Sequence, residues 1–328
     1  MSNTMSAHNG YAGWFKMEAF RVDADGIEIP GSRRIAADWF PNLITNAGLD
    51  FLGTSGSTLV QGFCRVGTGN TAPANGNTAL VSQVAVSSTV QADTNGVNRA
   101  GLPTVFYGWR RRTIRFAAGS MGASAVNLAE VGVSPAAASA LFSRALILDG
   151  GGSPTTIAVQ PDEVLDVTYE LRIYPTLVDA NGTVTIASVS YNWTARPLIH
   201  TDYDTNWSST IGLGIGFNTT GGNELVYGPA VAAALPAQGA KPVSLVKAGT
   251  MVPQTYTAGQ YARSFLFDIP LNDANVAGGI GCFFAATLPN SGGQAGGAWA
   301  WGLSPKLPKD SNYVSTFMVR QSWGRYSP

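Results

Sequence analysis

Residues 159–175, VQPDEVLDVTYELRIYP, set Leu165, Val167, Tyr169, Leu171 and Ile173 at strict period two, with Asp166, Thr168, Glu170 and Arg172 between them. Successive side chains of an extended chain point to opposite faces, so this alternation predicts a half-buried β-strand with one apolar and one charged face. Asp162 and Glu163 just ahead of it invite a catalytic reading. Adjacent residues on an extended chain point apart, however, and the pair is read as the turn that launches the strand.

Working outward, the same kind of pattern recurs along the chain. Trp14 to Val22, a turn at Asp23-Ala24-Asp25-Gly26, and Ile27 to Pro30 read as a hairpin. Leu43, Ile44, Ala47 and Phe51 follow helical spacing, with Gly53 as the expected stop. Phe63 to Gly67 reads as a strand running into the Gly/Asn/Pro-rich loop Thr68 to Thr78, and further strands are expected around 112–116, 127–133 and 141–148. Asp179-Ala180-Asn181-Gly182 is read as the turn into a hairpin over Gly182 to Thr194, where a phase change predicts a bulge near Ala187 and Ser188.

Near the end of the chain, Asp310 to Trp323 echoes the opening stretch, with Tyr313, Ser315, Phe317 and Val319 in the places of Leu165, Val167, Tyr169 and Leu171. Arg263 to Phe267 likewise matches Arg112 to Phe116, and Gly279 to Phe283 takes the place of Leu128 to Gly132. The expected fold is mostly β: two antiparallel β-sandwich domains, jelly-roll or Greek-key-like, with one or two short helices. The expected divisions are an N-terminal hairpin or arm over 1–40, a first sandwich over 41–197, and a second over 198–328 that is a divergent repeat of the first or merely similar antiparallel strands.

Composition narrows the function. Of 328 residues, 45 % are apolar but only 12 % are charged, and 39 are Gly. A surface of Gly, Ser, Thr and Asn suits turn-rich β proteins in tight assemblies. The 20 basic and 20 acidic residues cancel, which removes the long-range repulsion that keeps monomers apart and gives no global attraction to nucleic acid. No basic-then-apolar leader and no run of about 18 apolar residues is visible, so neither a secretory signal nor membrane insertion is expected. Cys64 and Cys282 lack any metal-knuckle spacing and read as small buried hydrophobes; whether they pair is open.

Chemistry-bearing candidates are few. Arg110, Arg111 and Arg112 form the one dense basic cluster, but they lead into an alternating strand, where a solvated edge or a subunit salt bridge competes with phosphate binding. GTGN at 67–70 lacks the following Gly-Lys-Ser/Thr of a phosphate loop. His200, Asp202 and Asp204 alternate as weak metal candidates, short of the six to eight oxygens Ca²⁺ needs. No Gly-x-Ser-x-Gly and no His-Glu-x-x-His occurs, so no catalytic residue and no cofactor are expected. Trp299, Trp301, Tyr203 and Trp207 are candidate interface or glycan contacts, with core packing as the competing reading.

Five segments in order, Asn42 to Asp50, Val66 to Pro73, Asn127 to Val133, Leu141 to Ile147 and the opening stretch, together resemble a family of tailed-bacteriophage virion structural proteins of the tail-fibre or tail-appendage kind. The likeness covers about residues 40 to 197 and, more weakly, the closing part; the order carries it, since no single segment is specific. It implies a non-enzymatic, β-rich virion subunit of a fibre, baseplate or neck. It also implies a homotrimer or symmetric ring, other virion proteins as partners, and assembly in the bacterial host cytoplasm. A tail-tip position adds a host cell-surface receptor. The alternative is a glycan-binding or glycan-cleaving (depolymerase) tail protein, with Asp202 and Asp204 as the acids to test.

Overall fold

Glu163–Pro175 form a central strand with neighbours on both sides. The chain is represented by a computed structural model that describes residues 4–54, 56–209, 211–215, 224–227, 235–241, 246–285, 298–312 and 314–326. In chain order the first strands are β1 (Thr4–Arg21), β2 (Arg34–Pro41), β3 (Leu43–Ile44), β4 (Phe63–Gly67), β5 (Gln83–Ser87), β6 (Thr89–Asn98) and β7 (Tyr107–Phe116). They are followed by β8 (Val126–Leu128), β9 (Glu130–Ser134), β10 (Ser143–Leu146), β11 (Ile157–Val159), β12 (Glu163–Pro175), β13 (Ala180–Ile186) and β14 (Val189–Pro197). The last are β15 (Glu224–Tyr227), β16 (Val246–Pro253), β17 (Ala262–Ile269), β18 (Ile280–Ala285), β19 (Trp299–Leu307) and β20 (Ser315–Arg325). Helix α1 spans Asn46–Thr54, and a single 3₁₀ turn, Thr201–Tyr203, runs into α2 (Asp204–Ser208).

The protein is mostly β. A 13-stranded sheet runs β13-β14-β19-β18-β15-β16-β17-β20-β1-β12-β7-β6, with β2 added to β1, and a 5-stranded sheet runs β3-β10-β9-β4-β5. β8 and β11 form a separate pair. β13 and β14, at one end of the long path, pack back against β1. One apolar cluster, including Phe15, Val66, Val131, Tyr169, Trp207, Phe267 and Val319, extends through both sheets.

β12 departs from the half-buried expectation. Leu165, Val167, Tyr169, Leu171 and Ile173 all face the core, but Asp166 and Glu170 on the other face are also only 5 % and 1 % exposed. Arg33 and Arg115 cover Asp166, while Arg111 and Arg172 cover Glu170. Long guanidinium side chains lie over the carboxylates and keep their charged ends toward water, so the second face is dry beneath a charged layer. The Asp162–Glu163 turn is present: the Glu163 N–H donates to Gln160 O at 3.0 Å and the Glu163 carboxylate accepts from Gln160 N at 2.9 Å.

Both hairpins are redrawn. The Asp23–Gly26 turn forms, with Asp23 accepting from Asp25 N and Ile27 N and Gly26 at φ +78°. Ile27 to Pro30, however, reaches only one bridge, Val22 to Glu28, because Pro30 and Gly31 (φ +77°) turn the chain again; the returning strand is β2. Ala187 and Ser188, read as a bulge, are the two-residue turn itself: both have positive φ, 48° and 66°, and Ile186 pairs with Val189. Asp179 precedes β13 and Ala180 to Gly182 open it, instead of forming the turn.

The sequence echo is kept in part. β7 pairs antiparallel with β12, and β17 pairs antiparallel with β20, as the match requires. β12 and β20 flank β1 from opposite sides, β12 antiparallel and β20 parallel. β9 belongs to the small sheet whereas β18 is in the large one, so the third correspondence is not preserved. Tyr313 lies outside the described residues. The boundary at 197/198 falls at no break in the sheet, since β14 pairs with β19 and β1 with β20.

Candidate functional site

Four of the five segments that carry the family resemblance converge on one place. β9 and β10 run antiparallel with Glu130 opposite Leu146 and Gly132 opposite Arg144. The Glu130 carboxylate meets the Arg144 guanidinium at 2.9 Å (Nε) and 2.8 Å (Nη2), and neither side chain is more than 1 % exposed. Every remaining bond of the pair goes to the loop after β4. Glu130 accepts from the backbone N–H groups of Gly69, Val81 and Ser82 at 3.1, 3.1 and 2.7 Å. Arg144 donates to Thr71 O at 2.7 Å, Asn77 Oδ1 at 3.0 Å and Ala72 O at 3.4 Å.

The first segment closes the other side. Thr45 caps α1 by accepting from Gly48 N at 2.9 Å and donates its hydroxyl to Leu141 O at 2.6 Å, while Asn46 N donates to Asn75 O at 2.7 Å. The helix rests directly on the strand, because a Cβ at Gly48 would overlap the Phe142 carbonyl. The glycine is needed for this close approach. The result is a buried, fully hydrogen-bonded clamp on a surface loop, which is architectural chemistry: both charges are compensated, and no group is left to act on a ligand.

The arginine cluster divides between two faces of β7. Arg110 forms a two-pronged pair with Asp93 of β6 at 2.7 and 2.8 Å, and Arg112 lies 3.9 Å from the same carboxylate, its guanidinium pKa lowered by burial. Arg111 points to the opposite face, pairing with Glu170 and lying over the rings of Trp39 and Trp109 at 5.3 and 4.6 Å. All three charges are thus met by acids of the same chain.

The aromatic candidates are interior residues. Trp299, Trp301, Tyr203 and Trp207 are 1 %, 0 %, 3 % and 0 % exposed. Trp301 stacks on Phe283 with ring centres 5.6 Å apart, and Trp207 donates its indole N–H to Leu198 O at 2.7 Å. A glycan contact needs an accessible ring, so these four are core, and alternation on β19 could not distinguish the two cases because both faces of that strand are covered where they lie.

Asp202 and Asp204 separate. Asp202 pairs with Lys241 at 2.5 Å, which lowers its pKa, and Asp204 pairs with Arg99. His200 caps the 3₁₀ turn by accepting from Asp202 N at 3.2 Å. Each acid has its own cation, and among the described residues no group of three metal-ligating side chains forms. Cys64 and Cys282 are both buried and unbridged, and burial pushes the Cys282 thiol up to about 12.

Two surface hollows lie elsewhere among the described residues. One of about 360 Å³ lies between β1, β12 and the chain end, with Tyr174 and Tyr326 stacked 3.7 Å apart beside His8 and Arg325. The other, about 620 Å³, is walled by Arg196, Ser304 and Lys306, and its one acid, Asp179, is held by Arg196 at 2.8 and 2.5 Å. Neither lining holds two carboxylates, and the one imidazole, His8, is engaged at 2.9 Å by the Ser322 hydroxyl.

Family models, curated proteins and solved structures give no match to this chain.

Sequence reasoning passed over Glu130 and Arg144, although a signal was present. Each is a lone charge of opposite sign inside an apolar run, Leu128-Ala129-Glu130-Val131 and Phe142-Ser143-Arg144-Ala145-Leu146. Charges in such positions are almost never fully buried unless paired, so each calls for the other.

Proposed function

We propose that this chain is a non-enzymatic structural subunit of a bacteriophage virion, homo-oligomeric, working in a tail fibre, baseplate or neck alongside other virion proteins. The observation that supports it is the convergence of the resemblance-bearing segments on the Glu130–Arg144 clamp. Those segments spend their polar groups on holding backbone, as a packing subunit requires and a catalyst does not. The separately paired Asp202 and Asp204 agree with the same reading, as does the low charge of the chain.

Labelling this chain on purified phage particles and imaging them tests the proposal. Discrete label at fixed copy number on a tail or neck feature is the expected result. Label absent from particles would overturn it, and polysaccharide turnover by the purified protein that is lost on joint Asp202→Asn and Asp204→Asn substitution would replace it with the depolymerase reading.

A further inference from the structure

One continuous stretch of chain forms an end of both sheets. β5 closes the five-stranded sheet and β6 closes the long path, joined by Ser88 alone. Among the described residues β5 pairs only with β4 and β6 only with β7, leaving the outer backbone edge of each without a ladder partner.

Proteins usually protect such an edge with lysine, proline, bulges or inward charges. β2 in this molecule shows that protection: it too has one partner, and it carries Arg34, Asp38 and Pro41 and two register shifts against β1. β6 has no basic residue and no proline, and its one acid, Asp93, is held by Arg110. Its single register shift lies between Val90 and Ala92, so Ala92 to Asn98 pair regularly with Thr113 to Tyr107. Val81, Val86 and Val90, which precede or lie on this edge, are 57 %, 41 % and 37 % exposed. A regular edge whose one charge is neutralised by its own chain, flanked by exposed valines, is the type that adds a strand from another chain.

We propose that this edge pairs antiparallel with the same edge of a second copy of this chain, about a two-fold axis through Asn95. A two-fold perpendicular to the sheet sets residues of like parity opposite each other, and Asn95 is the midpoint of the regular ladder from Ala92 to Asn98. Thr94 then faces the partner's Gly96, Asp93 the partner's Val97 and Ala92 the partner's Asn98. An axis through Asp93 would bring two carboxylates together, which like-charge repulsion disfavours. A second copy matches the edge in length and in lack of unpaired charge, and the zero net charge of the chain offers no long-range resistance to its approach. The proposal rests on the homo-oligomeric part of the reading above and not on its virion part, which the labelling of particles tests separately.

Two variants of the full chain test it. Asn95→Cys places two thiols across the axis, where opposed Cα atoms of antiparallel strands lie about 4.5–5.5 Å apart, inside the range a disulfide spans. Because Cys64 and Cys282 are buried, background cross-linking is low. The expected result is a disulfide dimer under mild oxidation, with none from a Gln160→Cys control on another surface. Asn95→Asp stands beside Arg110 of its own strand pair, so the fold is kept, yet it opposes its own copy across the axis. It should weaken self-association measured by sedimentation about fivefold or more at unchanged melting temperature. A monomeric native chain, an oligomer indifferent to Asn95→Asp, or loss of association without cross-linking of Asn95→Cys would each overturn the proposal.

Discussion

The Glu130 carboxylate and the Arg144 guanidinium meet 2.8 Å apart with essentially no solvent exposure, and between them they hold backbone groups of Gly69, Thr71, Ala72, Val81 and Ser82. Arg144→Met leaves a buried carboxylate uncompensated and should cost about 3–5 kcal/mol. In many buried pairs the double apolar replacement restores stability, but here it would strand three N–H donors that have no other acceptor among the described residues. Glu130→Leu with Arg144→Met should therefore remain destabilised by at least about 3 kcal/mol in urea unfolding, with faster amide exchange across 68–82. A double variant as stable as the native protein would show that the loop does not depend on the pair.

Close approach of α1 to β10 supplies a second expectation. Gly48 is buried against the Phe142 carbonyl, whereas a Cβ at Gly76, in the loop that the clamp holds, would meet nothing. Gly48→Ala forces the helix off the strand and should cost about 1–3 kcal/mol, while Gly76→Ala should change stability by less than about 0.5 kcal/mol. Thermal unfolding of the two variants side by side decides this, and equal effects would contradict the packing described.

How far the sequence revealed these features depended on whether the signal was local. The period-two run in β12 and the helix near Asn46 were legible because pattern and structure coincide within a few residues. The turn at Ala187 and Ser188 was hidden because neither residue is the Gly or Asn that usually marks positive φ, so the alternation on either side looked like a slip within one strand. The burial of Asp166 and Glu170 depended on Arg111 and Arg115, which reach them from β7, and on Arg33 just ahead of β2. The aromatic cluster was misplaced for a similar reason. Whether Trp299 and Trp301 meet solvent is set by Trp207 and Phe283, which lie far from them in the chain or on a separate strand.

The Asp202–Lys241 pair gives a pH-dependent expectation. The hydrogen bond and charge of Lys241, with a smaller contribution from His200, hold the Asp202 pKa below its ordinary 3.8. Between the lowered folded value and 3.8 the unfolded chain binds the proton that the folded chain does not, so stability rises with pH there. The pair's contribution is complete above 3.8 and is lost as pH falls through the folded value. Because both side chains are exposed, the effect is local and screened by salt. Carboxyl-carbon NMR should place the Asp202 midpoint below 3.8, and Lys241→Ala should return it toward that value, as should about 1 M salt in part. A midpoint that Lys241→Ala leaves in place would mean that the lysine does not hold Asp202 in solution, and the turn from His200 to Asp204 would then depend on its own caps and on Arg99.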